Sequence, residues 1–126
     1  MNAFVELSAD AFLPETSCHH YLSMAQIIID NFREEEEARV KSYLYSLRSI
    51  LCCRWIISRL NQPPMKIQDL LNEFLPSGEL RELVDKLIDL KIKGAESANI
   101  NRHLIFEEYL ESQLSFVETK IPKNPK

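Results

Sequence analysis

The chain contains only two glycines, Gly78 and Gly94, among its 126 residues. Tight hairpin turns and phosphate-binding loops need positive φ angles, which glycine adopts at little steric cost. Such a shortage of glycine disfavours an all-β fold and a glycine-rich nucleotide cradle. Helices are the regular structure that remains, so the sequence predicts an all-α protein.

The size and charge of the chain fit one ordinary globular domain. Its residues are 45% hydrophobic and 27% charged, which is enough for a single core. No apolar run approaches the roughly 18 residues that a membrane span needs, so we expect no membrane partner. The net charge of −4 disfavours general electrostatic attraction to nucleic acid. Binding of a nucleotide or RNA would therefore depend on a local basic surface.

The cysteines and the N-terminus are typical of a protein in a reducing compartment. The chain has three cysteines, Cys18, Cys52 and Cys53, and an odd number cannot all form pairs within one chain. Adjacent cysteines on a helix point about 100° apart, so neither a disulfide framework nor a zinc site is indicated. Residues 1–7 lack the basic and apolar regions of a secretory signal. We therefore expect a cytoplasmic protein.

Apolar residues recur at helical spacing in five segments. The pattern predicts helices over 17–32, from the acidic run at 34–37 to Leu60, over 67–75, from Ser77 to 93, and from Asn99 or Asn101 to 117. Residues 1–15 would form a lead-in segment, 16–118 a helical domain and 119–126 a frayed tail. The predicted fold class is all-α, a compact bundle of about five amphipathic helices.

Capping residues and charges set the predicted helix ends. The run Glu34–Glu37 suits the positive N-terminal end of the second helix. Ser77 is the candidate N-cap of the fourth helix, and Asn99 or Asn101 that of the fifth.

One face of the second helix carries positive charges and a ring. Around the helix axis, three basic residues fall within about 20° of one another: Lys41, Arg48 and Arg59. Tyr45 and Cys52 lie between them on the same face. An arginine fork suits phosphate, and a tyrosine can stack on a base, so this stripe is a candidate contact for a nucleotide or an RNA end. The alternative is an ordinary solvated face opposite the apolar stripe.

Arg54 falls on the core side of the same helix, where a guanidinium needs an acidic partner. A structural salt bridge is favoured over a ligand contact. The candidate partners are Asp85, Asp89, Glu107 and Glu108.

Two histidines, His19 and His20, stand beside Tyr21 near the predicted start of the first helix. There an imidazole could face an anion bound to free backbone amides, or it could simply cap the helix. Metal binding or thiol catalysis with the neighbouring Cys18 is not expected, because no further ligand or base lies at a suitable spacing.

Several short segments together resemble a known family. They are His19–Ala25, Tyr43–Arg48, Cys53–Ile56, Pro63–Met65 with Leu70-Leu71, Leu75-Pro76, Glu79–Arg81 and Leu87–Lys91. In this order, over roughly residues 12–95, they resemble the C-terminal half of predicted nucleotidyltransferases of the DNA polymerase β superfamily. The resemblance implies a preceding α/β domain with a Gly-Ser turn and paired metal-binding aspartates.

Those catalytic features do not occur in this sequence. It has no Asp-x-Asp or Asp-x-Glu pair, and its single Ser-Gly is Ser77-Gly78 in a helix connection. We therefore expect no catalytic or metal-binding residue in this chain, with Mg²⁺ and a nucleoside triphosphate bound only together with a separate catalytic domain. The expected function is that of a helical accessory domain that helps to form the nucleotide or acceptor cleft.

The resemblance implies roles for a few residues at that cleft. Arg48 would contact a phosphate, Tyr21 or Tyr45 would offer a stacking ring, and His20 would donate or accept a hydrogen bond. Arg54 would line the cleft or only hold the bundle together. The alternative is that these residues are helix-packing signatures.

The expected partners follow from the absent catalytic half. They are a missing or separate nucleotidyltransferase domain, a nucleotide or RNA, and a second copy of the chain. Self-association would use an exposed apolar patch together with Phe4, Val5, Leu7 and Phe12. The alternative function is a noncatalytic protein-interaction or dimerisation bundle.

Overall fold

A computed structural model describes residues 12–125. In chain order its elements are α1 (Pro14–Arg33), β1 (Glu37–Arg39), α2 (Val40–Arg59), α3 (Ile67–Phe74), α4 (Glu79–Ile92), β2 (Asn99–Asn101) and α5 (Leu104–Glu118). The predicted bundle of five helices is confirmed. Within the described residues, one two-stranded antiparallel sheet is added to it. The lead-in residues Phe4, Val5 and Leu7 lie outside this part of the chain, whereas Phe12 packs against the core.

Helix α2 is the centre of the bundle, because each of the other four helices packs on it or on its partners. Its apolar stripe is so wide that it is buried on most of its circumference. Helix α1 lies along one side and contributes Leu22, Ala25, Ile29 and Phe32 to the core. Helices α3 and α4 contribute only two fully buried side chains each. The buried residues of α2 are Val40, Tyr43, Leu44, Ser46, Leu47, Ser49, Ile50, Leu51, Cys52, Cys53 and Ile56.

The acidic run does not begin the second helix, so that prediction is wrong. Glu37 opens β1, which pairs with β2 through Glu37 opposite Asn101 and Arg39 opposite Asn99. Helix α2 starts at Val40, and its first two amides donate to backbone carbonyls of the connection before β2, at 3.1 Å and 2.8 Å. Those amides are therefore satisfied without a carboxylate, and the first turn of α2 contains none.

The strand pairing also changes the start of the last helix. Asn99 and Asn101 lie in β2, so neither caps α5. His103 takes that position, and its Nδ1 accepts a hydrogen bond from the Phe106 amide at 3.0 Å. Before α4, the N-cap position belongs to Gly78, with a φ of 104°, rather than to Ser77. A φ in this range favours glycine, which has no Cβ to clash.

Helix α1 begins at Pro14, earlier than its apolar pattern predicts, and residue Asn124 caps it from the other end of the chain. The Asn124 side-chain oxygen accepts from the Glu15 amide at 2.9 Å, and its amide group donates to the Thr16 hydroxyl at 3.1 Å. Leu13, at the N-cap position, offers no side-chain hydrogen bond. A proline in the first turn has no amide to satisfy, so the early start costs little.

Replacing Asn124 with alanine is expected to lower the free energy of unfolding by about 1 kcal/mol, since the α1 amide would lose its cap. Urea unfolding followed by circular dichroism measures the change. Lys123→Ala, at an exposed neighbouring position, is the control and should have no measurable effect. Equal stability of the two variants would show that the Asn124 contact does not stabilise α1.

A buried polar cluster joins α2 to α5. The Tyr43 hydroxyl donates to Glu107 Oε2 at 2.6 Å and accepts from the His103 amide at 2.8 Å. Arg102 binds the same carboxylate through two nitrogens, at 3.0 Å and 2.5 Å. The Tyr43 ring lies edge-on to Phe32 and tilted against Phe106, so polar and aromatic contacts meet at one point.

The environment shifts the pKa values of this cluster. Burial by itself raises the pKa of Glu107, but hydrogen bonds from Arg102 and Tyr43 and the nearby positive charges outweigh it and leave the pKa lowered. Burial and the Glu107 hydrogen bond raise the pKa of Tyr43 far above its ordinary value. Glu107 is therefore a carboxylate and Tyr43 a neutral hydroxyl at neutral pH.

None of the helices within residues 12–125 combines the length and the apolar character required to cross a bilayer.

Candidate functional site

Helices α2, α3 and α4 enclose a groove of about 340 Å³, which we call the α2–α4 groove. Most of its lining is apolar, and two cations stand at its wall. Its lining residues are Leu44, Tyr45, Arg48, Met65, Ile67, Gln68, Ile88, Lys91 and Ile92. This combination offers an apolar surface for a ring and positive charges for an anion.

The helix geometry explains how these side chains meet. Tyr45 and Arg48 are three residues apart on α2 and therefore share a face. The Pro63-Pro64 break turns the chain back over α2, and there Arg48 donates to the Met65 carbonyl at 3.4 Å. Lys91 comes from the last turn of α4.

Tyr45 forms the aromatic side of the groove. Its ring is 38% exposed, and the Lys91 ammonium lies 5.1 Å from the ring centroid. The hydroxyl donates to Glu96 Oε2 at 3.2 Å. Burial and the Glu96 carboxylate raise the pKa of Tyr45, so the hydroxyl stays neutral. Tyr45 is therefore held by contacts with Glu96 and Lys91 while it stays partly exposed at the groove.

Arg48 is one of two partly buried arginines without a carboxylate partner in the described part of the chain. Four of the seven arginines in the sequence, namely Arg33, Arg59, Arg81 and Arg102, form ion pairs. Among the described residues, no acidic group lies within salt-bridge distance of Arg48, although it is partly buried. A guanidinium in this state keeps most of its N–H donors available for an incoming anion.

Tyr21 lies behind Arg48 rather than in the groove. Burial raises the pKa of Tyr21, the Cys52 thiol raises it further, and the Arg48 charge lowers it, so the three groups are neighbours. Burial also raises the pKa of the fully buried Cys52, against the opposing effect of Arg48. His20 is exposed, with its ring centroid 5.8 Å from that of Tyr21. Neither His20 nor Tyr21 lines the groove.

The predicted basic stripe is divided by the tertiary structure. Cys52, in its middle, is fully buried under α1 side chains. Arg59, at its end, forms an ion pair with Glu73 and lies 4.0 Å over the Trp55 ring. Lys41, at the other end, does not line the groove. Tyr45 and Arg48 are the residues of this stripe that line it.

Arg54 has no acidic partner in the described chain, so the prediction of a salt bridge is wrong. It donates to Gln113 Oε1 at 2.8 Å, and its guanidinium carbon lies 4.6 Å from the Phe74 ring centroid and 5.5 Å from that of Phe116. Three of the four candidate acids pair with other cations: Asp85 with Arg81, Asp89 with Lys93 and Glu107 with Arg102. The fourth, Glu108, is exposed. Arg54 lies about 120° around α2 from Arg48 and belongs to a different surface.

The two histidines do not face a free helix end. Helix α1 begins more than a turn before them, and the Glu15 amide is already bonded to Asn124. The anion site suggested for His19 and His20 is therefore absent at that position.

No group of three or more histidine, cysteine, aspartate or glutamate side chains within residues 12–125 is arranged to hold a metal ion.

Lys91 was not among the predicted site residues. In the sequence it is one of several lysines at the end of a helix, where a cation is common for reasons of helix polarity. Its closeness to Tyr45 depends on how α4 packs against α2. The sequence pattern does not predict how α4 packs against α2.

The fold is a helical bundle, and its α2–α4 groove combines basic and aromatic side chains. The family model described as "RNA repair pathway DNA polymerase beta family" (RlaP) matches residues 1–126, and the chain belongs to that family. This confirms the DNA polymerase β relationship expected from the sequence.

A curated relative shows how the chain compares in length. The chain is similar to the "Uncharacterized protein YcgL" of Bacillus subtilis (strain 168), with 32% identity over 109 residues. The match covers 86% of this chain and 42% of the relative, so the chain spans less than half of that protein. No solved structure matches the chain significantly.

Proposed function

We propose that this chain is the helical C-terminal domain of a nucleotidyltransferase and that it binds the nucleotide or the RNA acceptor in the α2–α4 groove. In this proposal the catalytic carboxylates, and the Mg²⁺ that they hold, belong to a separate domain. Membership of a DNA polymerase β family and the greater length of the B. subtilis relative support it. The role of the chain is to hold a substrate, not to carry out the transfer.

The single observation that carries this proposal is Arg48, without a carboxylate partner among the described residues, beside the partly exposed Tyr45. A guanidinium binds two phosphate oxygens through charge-assisted hydrogen bonds, and Lys91 adds a second positive charge within the same groove. Base stacking on a tyrosine tolerates any base. One nucleotide unit would thus place its phosphate between Arg48 and Lys91 and its base on Tyr45.

The other residues singled out in the sequence have indirect roles or none in this proposal. In this proposal Tyr21 acts only indirectly, through the surroundings of Arg48. His20 stays at the exposed edge of α1, and Arg54 lies on another surface.

Replacing Arg48 with alanine is expected to weaken binding of a fluorescein-labelled single-stranded RNA decamer about tenfold, which corresponds to about 1.4 kcal/mol. Lys91→Ala should weaken it by a similar factor. Fluorescence anisotropy at fixed ionic strength measures both changes. The same titration with labelled ATP tests whether the groove prefers the nucleotide or the acceptor strand.

Lys86→Ala is the matched control, because Lys86 is an exposed lysine of α4 that does not line the groove. It should leave the affinity unchanged, while Arg48→Ala and Lys91→Ala should each reduce the salt dependence by about one released ion. If all three variants bind alike, or if neither RNA nor ATP binds the wild-type chain, the proposal is wrong.

A protein-interaction or dimerisation bundle is the second candidate function. Met65 and Ile92, which are 88% and 77% exposed, stand among the groove residues and would suit an apolar partner surface. Light scattering over a range of concentrations tests self-association. A dimer of the wild type that Met65→Lys converts to a monomer would favour this candidate over substrate binding.

A further inference from the structure

The second partly buried arginine without a carboxylate partner is Arg54, between α2, α5 and the end of α3. One of its N–H groups donates to Gln113 Oε1 at 2.8 Å, and the rings of Phe74 and Phe116 lie against the guanidinium carbon. Among the described residues, Gln113 is the one hydrogen-bond acceptor of the guanidinium, so its other N–H groups have no acceptor there. Within residues 12–125, no carboxylate lies within salt-bridge distance of it. Its charge is therefore balanced by rings and one neutral acceptor.

The hydroxyl of Tyr109 is the second unusual group at this place. It is shielded from water and has no hydrogen-bond partner in the described structure. Tyr109 lies one turn before Gln113 on α5, and Gln113 is bonded to Arg54, so Tyr109 and Gln113 share the helix face that meets the guanidinium. Consistent with this closeness, burial raises the pKa of Tyr109 while the Arg54 charge lowers it. A buried hydroxyl without a partner is costly, and such groups call for a specific explanation.

We propose that Arg54 and Tyr109 form a binding site for a carboxylate, on a surface distinct from the α2–α4 groove. The free N–H groups of Arg54 and the hydroxyl of Tyr109 are all donors, and a carboxylate accepts hydrogen bonds on both oxygens. The guanidinium of Arg54 is held in place because it donates a hydrogen bond to the side-chain oxygen of Gln113. The inference does not depend on the function proposed for the groove.

The charge and the surroundings favour a carboxylate over a phosphate. The site contains one cation and two phenyl rings, which match a singly charged group with apolar neighbours. A phosphate monoester carries close to two negative charges at neutral pH. A phosphate would therefore bind better in the α2–α4 groove, which has two cations.

Two sources would present the same chemistry to Arg54: a small free carboxylate, or the side chain of an aspartate or glutamate in another polypeptide segment. Phe116 is 45% exposed beside the guanidinium. A polypeptide could therefore add apolar contact to the ionic one, because arginine with aromatic neighbours is typical of interface centres.

An NMR titration with sodium acetate tests the site directly. The arginine Nε–H signals of the ¹⁵N-labelled chain are followed while acetate replaces chloride at constant ionic strength. We expect a saturable shift of the Arg54 signal together with shifts of the Tyr109 ring. The Arg59 signal is the internal control: it also lies over an aromatic ring, but Glu73 already pairs with it, so it should not move.

Two substitutions separate binding from structure. Arg54→Gln removes the charge and should weaken acetate binding about tenfold or more, as read from the Tyr109 ring. Tyr109→Phe removes the unpartnered hydroxyl, so it should raise the Tm of the free chain and still weaken acetate binding. A merely structural hydroxyl would not produce these opposite effects. Arg59→Gln should leave the acetate affinity unchanged.

Three results would overturn the proposal. They are an Arg54 signal that does not move with acetate, Tyr109 shifts that persist undiminished in Arg54→Gln, and inorganic phosphate that binds more tightly than acetate. A further arm compares acetate with the blocked dipeptide N-acetyl-Leu-Asp-amide. Tighter binding of the dipeptide identifies a polypeptide as the source of the carboxylate, and equal binding identifies a small molecule; either result supports the site.

Discussion

Replacing Glu107 with alanine is expected to lower the free energy of unfolding by about 3 kcal/mol or more. The substitution leaves Arg102 without its carboxylate and the Tyr43 hydroxyl without its acceptor, and Tyr43 is completely buried. A polar group that loses its partner inside a protein cannot recover the hydrogen bonds it would make with water. Urea unfolding at pH 7 measures the loss.

The neighbouring residue supplies the control for this prediction. Glu108 is exposed on the same helix, so Glu108→Ala should change stability by less than about 0.5 kcal/mol. Glu107→Gln should fall between the two, because an amide still accepts from Tyr43 but has no charge for Arg102. If Glu107→Ala and Glu108→Ala are equally mild, the buried cluster does not stabilise the fold.

The same carboxylate gives stability a dependence on pH. The pKa of Glu107 is lower in the folded chain than its ordinary value of 4.5, so the unfolded chain takes up the proton first as the pH falls. The stabilisation is complete above that ordinary value and is lost as the pH falls through the folded pKa. The wild type should therefore lose more stability on acidification than Glu107→Gln.

The second large effect is expected at Leu110, which is completely buried where α5 packs into the core. Leu110→Ala removes apolar contact and leaves a cavity, which costs about 2–5 kcal/mol. Leu104→Ala is the matched control, with the same chemical change on the same helix at a side chain that is 66% exposed. Thermal and urea unfolding of both variants measure the difference.

A small effect at Leu110 would contradict the position of α5 in the bundle. A large effect at Leu104 would instead show that the exposed start of α5 is covered by something other than solvent. Both outcomes are distinct from those for Glu107, because the leucine substitutions leave every hydrogen bond of the buried cluster in place.

The helices could be predicted from the sequence because helical periodicity is a local signal. Leu44, Leu47 and Leu51 mark the core face of α2 without any knowledge of its neighbours. The strands could not be predicted in this way. Glu37 resembles the start of a helix in the sequence, but β2, more than 60 residues later, pairs with this segment and holds it extended. Long-range pairing overrode the local charge preference.

The candidate site was predicted in part, for the same physical reason. Tyr45 and Arg48 share a helix face, so their pairing follows from spacing alone. Lys91 joins them only because α4 folds back on α2. The predicted salt bridge of Arg54 does not form with Asp85 or Asp89, because each of these aspartates pairs with a basic residue four positions away, on its own helix or at the end of that helix. Competition between local and distant partners cannot be read from residue types.

The uneven anchoring of the bundle has a consequence for access to the α2–α4 groove. Its outer walls, α3 and α4, are held by only Leu70, Leu71, Val84 and Leu87 as fully buried side chains. Helices α1 and α5 bury more and contact each other as well as α2. Helices α3 and α4 are therefore expected to separate from α2 before the rest of the bundle unfolds. Such local opening would widen the α2–α4 groove.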